Sequence, residues 1–159
     1  MVVKILIFNL FFILISLSTV SSGKTIFGKA KVIDGDTINI NKNKIRLHAI
    51  DAPETNQTCY KNSKVWNCGL ESTKFLKELI GNNKIECITQ GKDRYNRFIG
   101  ICYKDNLDLN SEMVLNGWAI AYRYYSKDYI EEEEEAKQEK KGIWIGDFEE
   151  PNLFRKKNK

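Results

Sequence analysis

Histidine is almost absent, with one residue in a chain of 159. That scarcity rules out multi-His metal sites and most His-based catalytic triads, with a single candidate left, before any motif is considered. Two prolines and ten glycines are too few for a disordered or collagen-like chain. The four cysteines, at positions 59, 68, 87 and 102, form no C-x-x-C pair, so the usual zinc spacing is missing. No internal repeat is found. Charge is also missing from the start of the chain, where Lys4 is the only charged residue before Lys24.

Between those lysines, residues 5–17 are apolar apart from Asn9 and Ser16, and Ser18-Thr19-Val20-Ser21-Ser22-Gly23 follows. A basic start, an apolar middle and a small-residue exit describe a secretory signal peptide over residues 1–22. A membrane anchor is the competing reading, but a spanning helix needs ~20 apolar residues. No cysteine lies near the exit to support a lipoprotein anchor. The protein is therefore expected to be secreted or periplasmic. Much of the 42% hydrophobic content sits in this segment, and the net charge of +4 becomes +3 without Lys4. One domain of ordinary size remains, over residues 23–154, with a frayed basic tail at 155–159.

In an oxidising compartment, four cysteines suggest two disulfides, each contributing about 2–3 kcal/mol. Three pairings are possible. Cys87 and Cys102 stand at equal distances from a turn at Arg94-Tyr95, as cross-strand partners in a hairpin would. That pairing leaves Cys59 with Cys68.

Residues 27–33, 37–40 and 44–50 alternate in the manner of three consecutive antiparallel strands, with Asn41-Lys42-Asn43 as a turn. Residues 51–67 are polar and irregular and read as a long loop. A helix is expected over 70–80, with Leu70, Phe75, Leu76, Leu79 and Ile80 on one face and Gly81 as its stop. Strands follow at 84–89 and 98–103, then helices at 110–116 and 128–141, ended by Gly117 and Gly142. The five glutamates at 131–135 read as a solvated helix face, with Glu133 and Lys137 in favourable i,i+4 order. The pattern is α+β, mainly β. It matches a five-stranded OB-fold β-barrel with three helices, one of them between the third and fourth strands.

Three short segments could carry chemistry. Asp34-Gly35-Asp36-Thr37 would alone be a hairpin turn. It fails as an EF-hand loop, because Ile38 stands at position five and the acid at twelve is missing. Arg46-Leu47-His48-Ala49-Ile50-Asp51-Ala52-Pro53-Glu54 places two carboxylates three residues apart at a strand end. Such a pair suits a hard cation and a general base. Asp93-Arg94-Tyr95-Asn96-Arg97, at a hairpin tip, sets two guanidiniums beside a ring that suits phosphate recognition and base stacking. His48 has no acidic or nucleophilic neighbour in sequence and reads as a packed or surface strand residue.

In order and spacing, these three segments resemble the staphylococcal nuclease (thermonuclease) family. The resemblance extends through Leu109-Asn110 to Gly117, Tyr122, and Ala136-Lys137 to Gly142-Ile143-Trp144, covering about residues 26–145. It implies that Asp36, Asp51 and the Ala52 carbonyl hold Ca²⁺, with Asp34 as an acid behind them. Ala52 stands where the family often has Thr, which a backbone ligand tolerates. Glu54 matches the general base, and Arg46 and Arg97 match the arginines on the scissile phosphate. Arg94, where some relatives have Lys, matches a contact to a terminal phosphate, and Tyr95 and Tyr122 match nucleotide contacts. Tyr124 and Tyr125 are alternatives to Tyr122, because residues 118–125 run one residue out of step. The cysteine pairs are not part of the best-known member's pattern.

The implied activity is Ca²⁺-dependent hydrolysis of DNA and RNA phosphodiesters, endo- and exonucleolytic, with low sequence specificity. Single-stranded or denatured substrate is preferred, and 3′-phosphate and 5′-hydroxyl ends result. The implied enzyme is a monomeric hydrolase of micrococcal-nuclease type without an obligate protein partner. The alternative is an exported OB-fold module that binds nucleic acid without cleaving it. The presence of Asp36, Arg46, Asp51, Glu54 and Arg97 together speaks against it.

Overall fold

The computed structural model describes residues 23–124 and 126–158. The expected signal peptide at 1–22 lies outside the described residues, as does Tyr125. In chain order the elements are β1 (Thr25–Asp34), β2 (Thr37–Ile40), β3 (Asn43–Leu47), β4 (Ile50–Asp51), β5 (Cys59–Lys61), β6 (Lys64–Trp66) and α1 (Cys68–Ile80). They continue with β7 (Lys84–Lys92), β8 (Phe98–Lys104), β9 (Leu107–Asp108), α2 (Leu109–Leu115) and β10 (Ile120–Ala121). The last are α3 (Ile130–Gln138), a 3-10 turn (Gly142–Ile145) and α4 (Pro151–Lys157).

The main sheet runs β3-β2-β1-β7-β8-β9, and β8 also pairs with β3. That second pairing is parallel and closes the barrel. The β2–β3 hairpin turns at Asn41 and Lys42, with φ of 50° and 67°, the left-handed pair that a tight hairpin requires. Alternation along β2 and β3 sends Ile38, Ile40, Ile45 and Leu47 into the core, where Leu76 of α1 and Met113 of α2 cover the barrel end. Among the described residues, no helix is long and apolar enough to cross a membrane.

The barrel and the α+β class are as the sequence implies, but several details differ. Leu70 is exposed, and the buried face of α1 consists of Cys68, Gly69, Ser72, Thr73, Leu76 and Ile80. The strand expected over 44–50 breaks after Leu47, because Ala49 takes a left-handed φ of 59°. Ile50–Asp51 then forms the separate β4, paired with β10. The loop at 51–67 contains the β5–β6 hairpin. There are four α-helices among the described residues rather than three, because Pro151 starts α4, a helix running into the segment expected to be a frayed tail.

The disulfides join Cys59 to Cys68 and Cys87 to Cys102. Cys87 and Cys102 are direct cross-strand partners in β7–β8. Cys59–Cys68 ties the short β5–β6 hairpin to the start of α1. A Cys59→Ser/Cys68→Ser double variant is expected to lose about 2 kcal/mol, because so short a loop has little unfolded-state entropy to remove. Urea denaturation would read the loss, and an unchanged midpoint would contradict it.

Candidate active site

The barrel's pairing pattern brings the three motif segments together. Thr37 stands opposite Arg46 in β2–β3. The parallel β3–β8 pairing sets Arg46 against Ile99, two residues past Arg97. Asp51 pairs with Ile120, so the chain leaving β10 carries Tyr122 past the same edge, where its N–H donates to the Ala49 carbonyl at 2.7 Å. Arg46, Arg97 and Tyr122 line one cavity of about 250 Å³.

Asp36 and Asp51 lie at its side, exposed by only 3% and 0%. The Arg46 guanidinium bridges them, pairing with Asp36 and donating to Asp51 Oδ1 at 2.7 Å. Its Nη2 also reaches the Ile50 carbonyl at 3.2 Å. The Ala52 N–H donates to Asp36 Oδ2 at 2.9 Å, and Thr37 Oγ1 donates to Asp36 Oδ1 at 3.0 Å. Asp34 accepts the Asp36 N–H at 3.0 Å. Gly35 is required between them, since a Cβ there would collide with Ser72 Oγ and the Ala52 methyl.

Burial and mutual repulsion set the electrostatics. Burial, then the Asp36 charge, raises Asp34 to about 7. The same two causes push Asp51 above the ordinary carboxylate range, against the pull of Arg46 and Arg155. Burial would raise Asp36 too, but Arg46 and the Ala52 N–H outweigh it and hold Asp36 low. The cluster thus carries more negative charge than its arginines settle, and its donors are all oxygen. That fits a hard cation such as Ca²⁺. Among the described residues, no group of three His, Cys, Asp or Glu side chains could hold a metal alone. A cation here would take Asp36 and Asp51 together with backbone and water oxygens, and the Ala52 peptide already lies against the pair.

Glu54 is presented by a turn built on Gln57. The Gln57 N–H donates to the Glu54 carbonyl at 2.7 Å, and the Glu54 N–H donates to Gln57 Oε1 at 3.2 Å. Gln57 is fully buried, and its Nε2 reaches the Glu149 carbonyl at 2.7 Å. Gly69 allows α1 to approach, because a Cβ there would strike the Glu54 carbonyl.

At the β7–β8 tip, Asp93 accepts from the N–H groups of Tyr95 and Arg97 at 2.9 and 3.0 Å and from Arg97 Nε at 2.8 Å. Burial would raise the Asp93 pKa, but these bonds lower it. Asp93 thereby aims Arg97 inward, where Nη1 comes within 3.5 Å of Thr37 Oγ1. Tyr95 stays exposed, its ring 4.9 Å from the Arg94 guanidinium and 5.6 Å from that of Arg97. Arg94 remains at the tip, outside the cavity lining. Tyr122 and Tyr124 stand with ring centroids 6.2 Å apart. His48 lies 3.4 Å from Asp128, a partner 80 residues away and invisible to local sequence.

Thr37, Asp93, Gln57 and Arg155 are the members that the sequence reading passed over. The first two lie within quoted motifs but look like ordinary turn residues. Gln57 is one polar residue among many in the segment 51–67 and carries no local signal. Arg155 of α4 donates to both Asp51 oxygens at 2.9 Å and to Glu54 Oε1 at 2.8 Å.

Comparison with known proteins bears on this arrangement. The family model "Staphylococcal nuclease homologue" matches residues 44–146. An "Uncharacterized endonuclease" of Haemophilus influenzae is 35% identical, over 98% of this chain and 87% of its own length. The "Micrococcal nuclease" of Shigella flexneri is 30% identical, over 81% of this chain and 79% of its own. "Endonuclease YncB" of Bacillus subtilis is 32% identical, over 72% and 59% respectively. Extended in this way over most of two relatives' lengths, the match establishes that the chain belongs to the staphylococcal nuclease homologue family.

Proposed function

We infer that this protein is an exported Ca²⁺-dependent nuclease that hydrolyses DNA and RNA to 3′-phosphate and 5′-hydroxyl ends. The observation that carries the reading is that Arg46, which lines one cavity with Arg97, bridges the buried pair Asp36 and Asp51 behind it. Relatives named endonuclease and micrococcal nuclease support it. The initial segment around Lys4 and the two disulfides support a compartment outside the reducing cytoplasm.

Asp36, Asp51 and the Ala52 carbonyl would hold the Ca²⁺, which when bound neutralises charge on the phosphate. Arg46 and Arg97 bind the non-bridging oxygens of the scissile phosphate and stabilise the charge that builds there. Three of the five Arg46 N–H donors are engaged by Asp36, Asp51 and Ile50, so two remain for phosphate. Glu54 takes a proton from the attacking water. The water oxygen bonds to phosphorus as the bond to the 5′-oxygen breaks, and that oxygen leaves as an alkoxide that takes a proton from solvent water to become the 5′-hydroxyl. Tyr122 in the cavity, with Tyr95 and Arg94 at the tip, contacts neighbouring nucleotides by stacking and charge. Such contacts accept any base, hence low sequence specificity and a preference for unpaired strands.

Digestion of heat-denatured DNA tests the assignment. Cleavage is expected with Ca²⁺, lost in chelator, and about 10²-fold slower in Glu54→Gln. Undiminished cleavage in chelator would overturn the metal role, and full activity in Glu54→Gln would overturn the base. Binding without cleavage by folded protein in Ca²⁺ would favour a non-catalytic module.

A further inference from the structure

Arg155 engages two of the three carboxylates on which the proposed chemistry depends, Asp51 and Glu54. Its Nη2 donates to Asp51 Oδ1 and Oδ2, each at 2.9 Å, and its Nη1 to Glu54 Oε1 at 2.8 Å. Asp51 Oδ1 also accepts from Arg46 at 2.7 Å. Asp51 therefore receives three guanidinium hydrogen bonds, and both its oxygens are occupied. A hard cation ligated by Asp51 would share a carboxylate with a positive charge already seated on it. Two like charges at one buried carboxylate repel strongly where water cannot screen them. Glu54 is in a related position, since its Oε1 is turned onto Arg155 and is not open to an attacking water.

The element carrying Arg155 is lightly held. Helix α4 has seven residues, too few to be stable without tertiary contacts. Pro151 is its only buried residue, Leu153 is exposed, and the Lys157 ion pair to Glu149 lies at the surface. The segment just before it is pinned, because the Glu149 carbonyl accepts from buried Gln57 at 2.7 Å. The turns after Glu149 can therefore open while the Glu54 loop stays in place. Opening of so small a unit costs far less than global unfolding.

We propose that Arg155 is a displaceable internal cation of the site. It holds Asp51 and Glu54 until a divalent cation takes Asp51, and its departure then uncovers Glu54 Oε1 to the attacking water. This rests on the reading of Asp51 as a metal ligand and Glu54 as the base. The C-terminal helix is then a latch that couples metal arrival to activation.

Calcium titration calorimetry on the full chain, in wild type, Arg155→Gln and Arg155→Lys, tests this. Arg155→Gln is expected to bind Ca²⁺ about tenfold more tightly than wild type, with Arg155→Lys between them. A second readout needs no variant: saturating Ca²⁺ should speed amide hydrogen exchange across residues 152–157 of the wild type. A purely structural ion pair would leave affinity unchanged or weaken it on removal. Equal or weaker binding by Arg155→Gln with a native circular dichroism spectrum would overturn the latch while leaving the metal reading intact. Unchanged protection of α4 at saturation would also overturn it. Absence of Ca²⁺ binding in every protein would remove the metal reading and the latch with it. Should Arg155→Gln fail to fold, Arg155→Lys and the exchange measurement decide.

Discussion

Arg46→Ala is expected to lower kcat on denatured DNA by about 10³-fold, at the upper end for loss of one charge-stabilising donor group. The size follows from its double employment. In the proposed mechanism Arg46 offers phosphate the donors left after binding Asp36, Asp51 and Ile50. It is also the charge between two buried carboxylates. Without it, Asp36 and Asp51 repel each other across the site, and the geometry for cation and phosphate is lost together. Burial disfavours the Arg46 charge, but the two aspartates outweigh that and raise its pKa further, so the guanidinium stays charged at any working pH. Arg46→Lys should recover little of the loss. An ammonium is a point charge and cannot bridge two carboxylates while presenting a planar edge to phosphate. Steady-state kinetics at saturating Ca²⁺ is the measurement, with circular dichroism to establish folding. A loss confined to KM, or near-wild-type kcat in Arg46→Lys, would contradict a role in the transition state.

The parts of this site that are legible in sequence are those encoded locally. Alternation along residues 37–40 and 44–47 identifies Ile38, Ile40, Ile45 and Leu47 as core, and thereby sends Arg46 to the opposite face. The symmetric spacing about Arg94-Tyr95 anticipates Cys87 opposite Cys102, because antiparallel strands count equally from their turn. The parallel closure of β3 on β8 leaves no local trace, since the pairing spans half the domain and depends on sheet curvature. The β5–β6 hairpin escapes notice for another reason. Two strands of three residues are too short to display a period of two. The break at Ala49 escapes it as well, because nothing in an alanine announces a left-handed backbone.

Arg155 shows the limit most clearly. In sequence it belongs to a basic terminal run that looks solvated, and its partners lie 101 and 104 residues earlier. Its ion pairs form only once β4 has carried Asp51 to the barrel edge and Pro151 has started a helix beside it. Charge pairs within one helix can be read from spacing. Charge pairs between elements depend on the whole fold.

Glu133 follows the same logic, and its replacement should be strongly destabilising. It sits in a run of five glutamates whose composition suggests a solvated face, yet its side chain is only 2% exposed. It accepts from the Ala121 N–H at 3.0 Å, from Arg123 at 2.6 Å and from Lys137 at 2.8 Å. Helix α3 is thereby fastened to β10, the strand that pairs with β4 and flanks Asp51. Glu133→Ala should cost about 3 kcal/mol, near the lower bound for breaking a buried pair, because Arg123 and Lys137 can rehydrate while the Ala121 N–H cannot. The melting temperature should fall by about 10 °C. Glu133→Gln keeps an acceptor for Ala121 but turns an amide N–H₂ toward two cations, so it should cost about 2 kcal/mol. The pH dependence distinguishes the ionic part. Burial would raise the Glu133 pKa, but the bonds from Arg123, Lys137 and Ala121 prevail and lower it beneath its ordinary 4.5. A depressed carboxylate adds stability that is fully present above the unfolded value and is lost as pH falls through the folded one. The gap between wild type and Glu133→Gln should therefore be constant near neutrality and close as the pH drops below 4.5. A gap that persists undiminished in acid would mean that packing, not charge, holds α3 to β10.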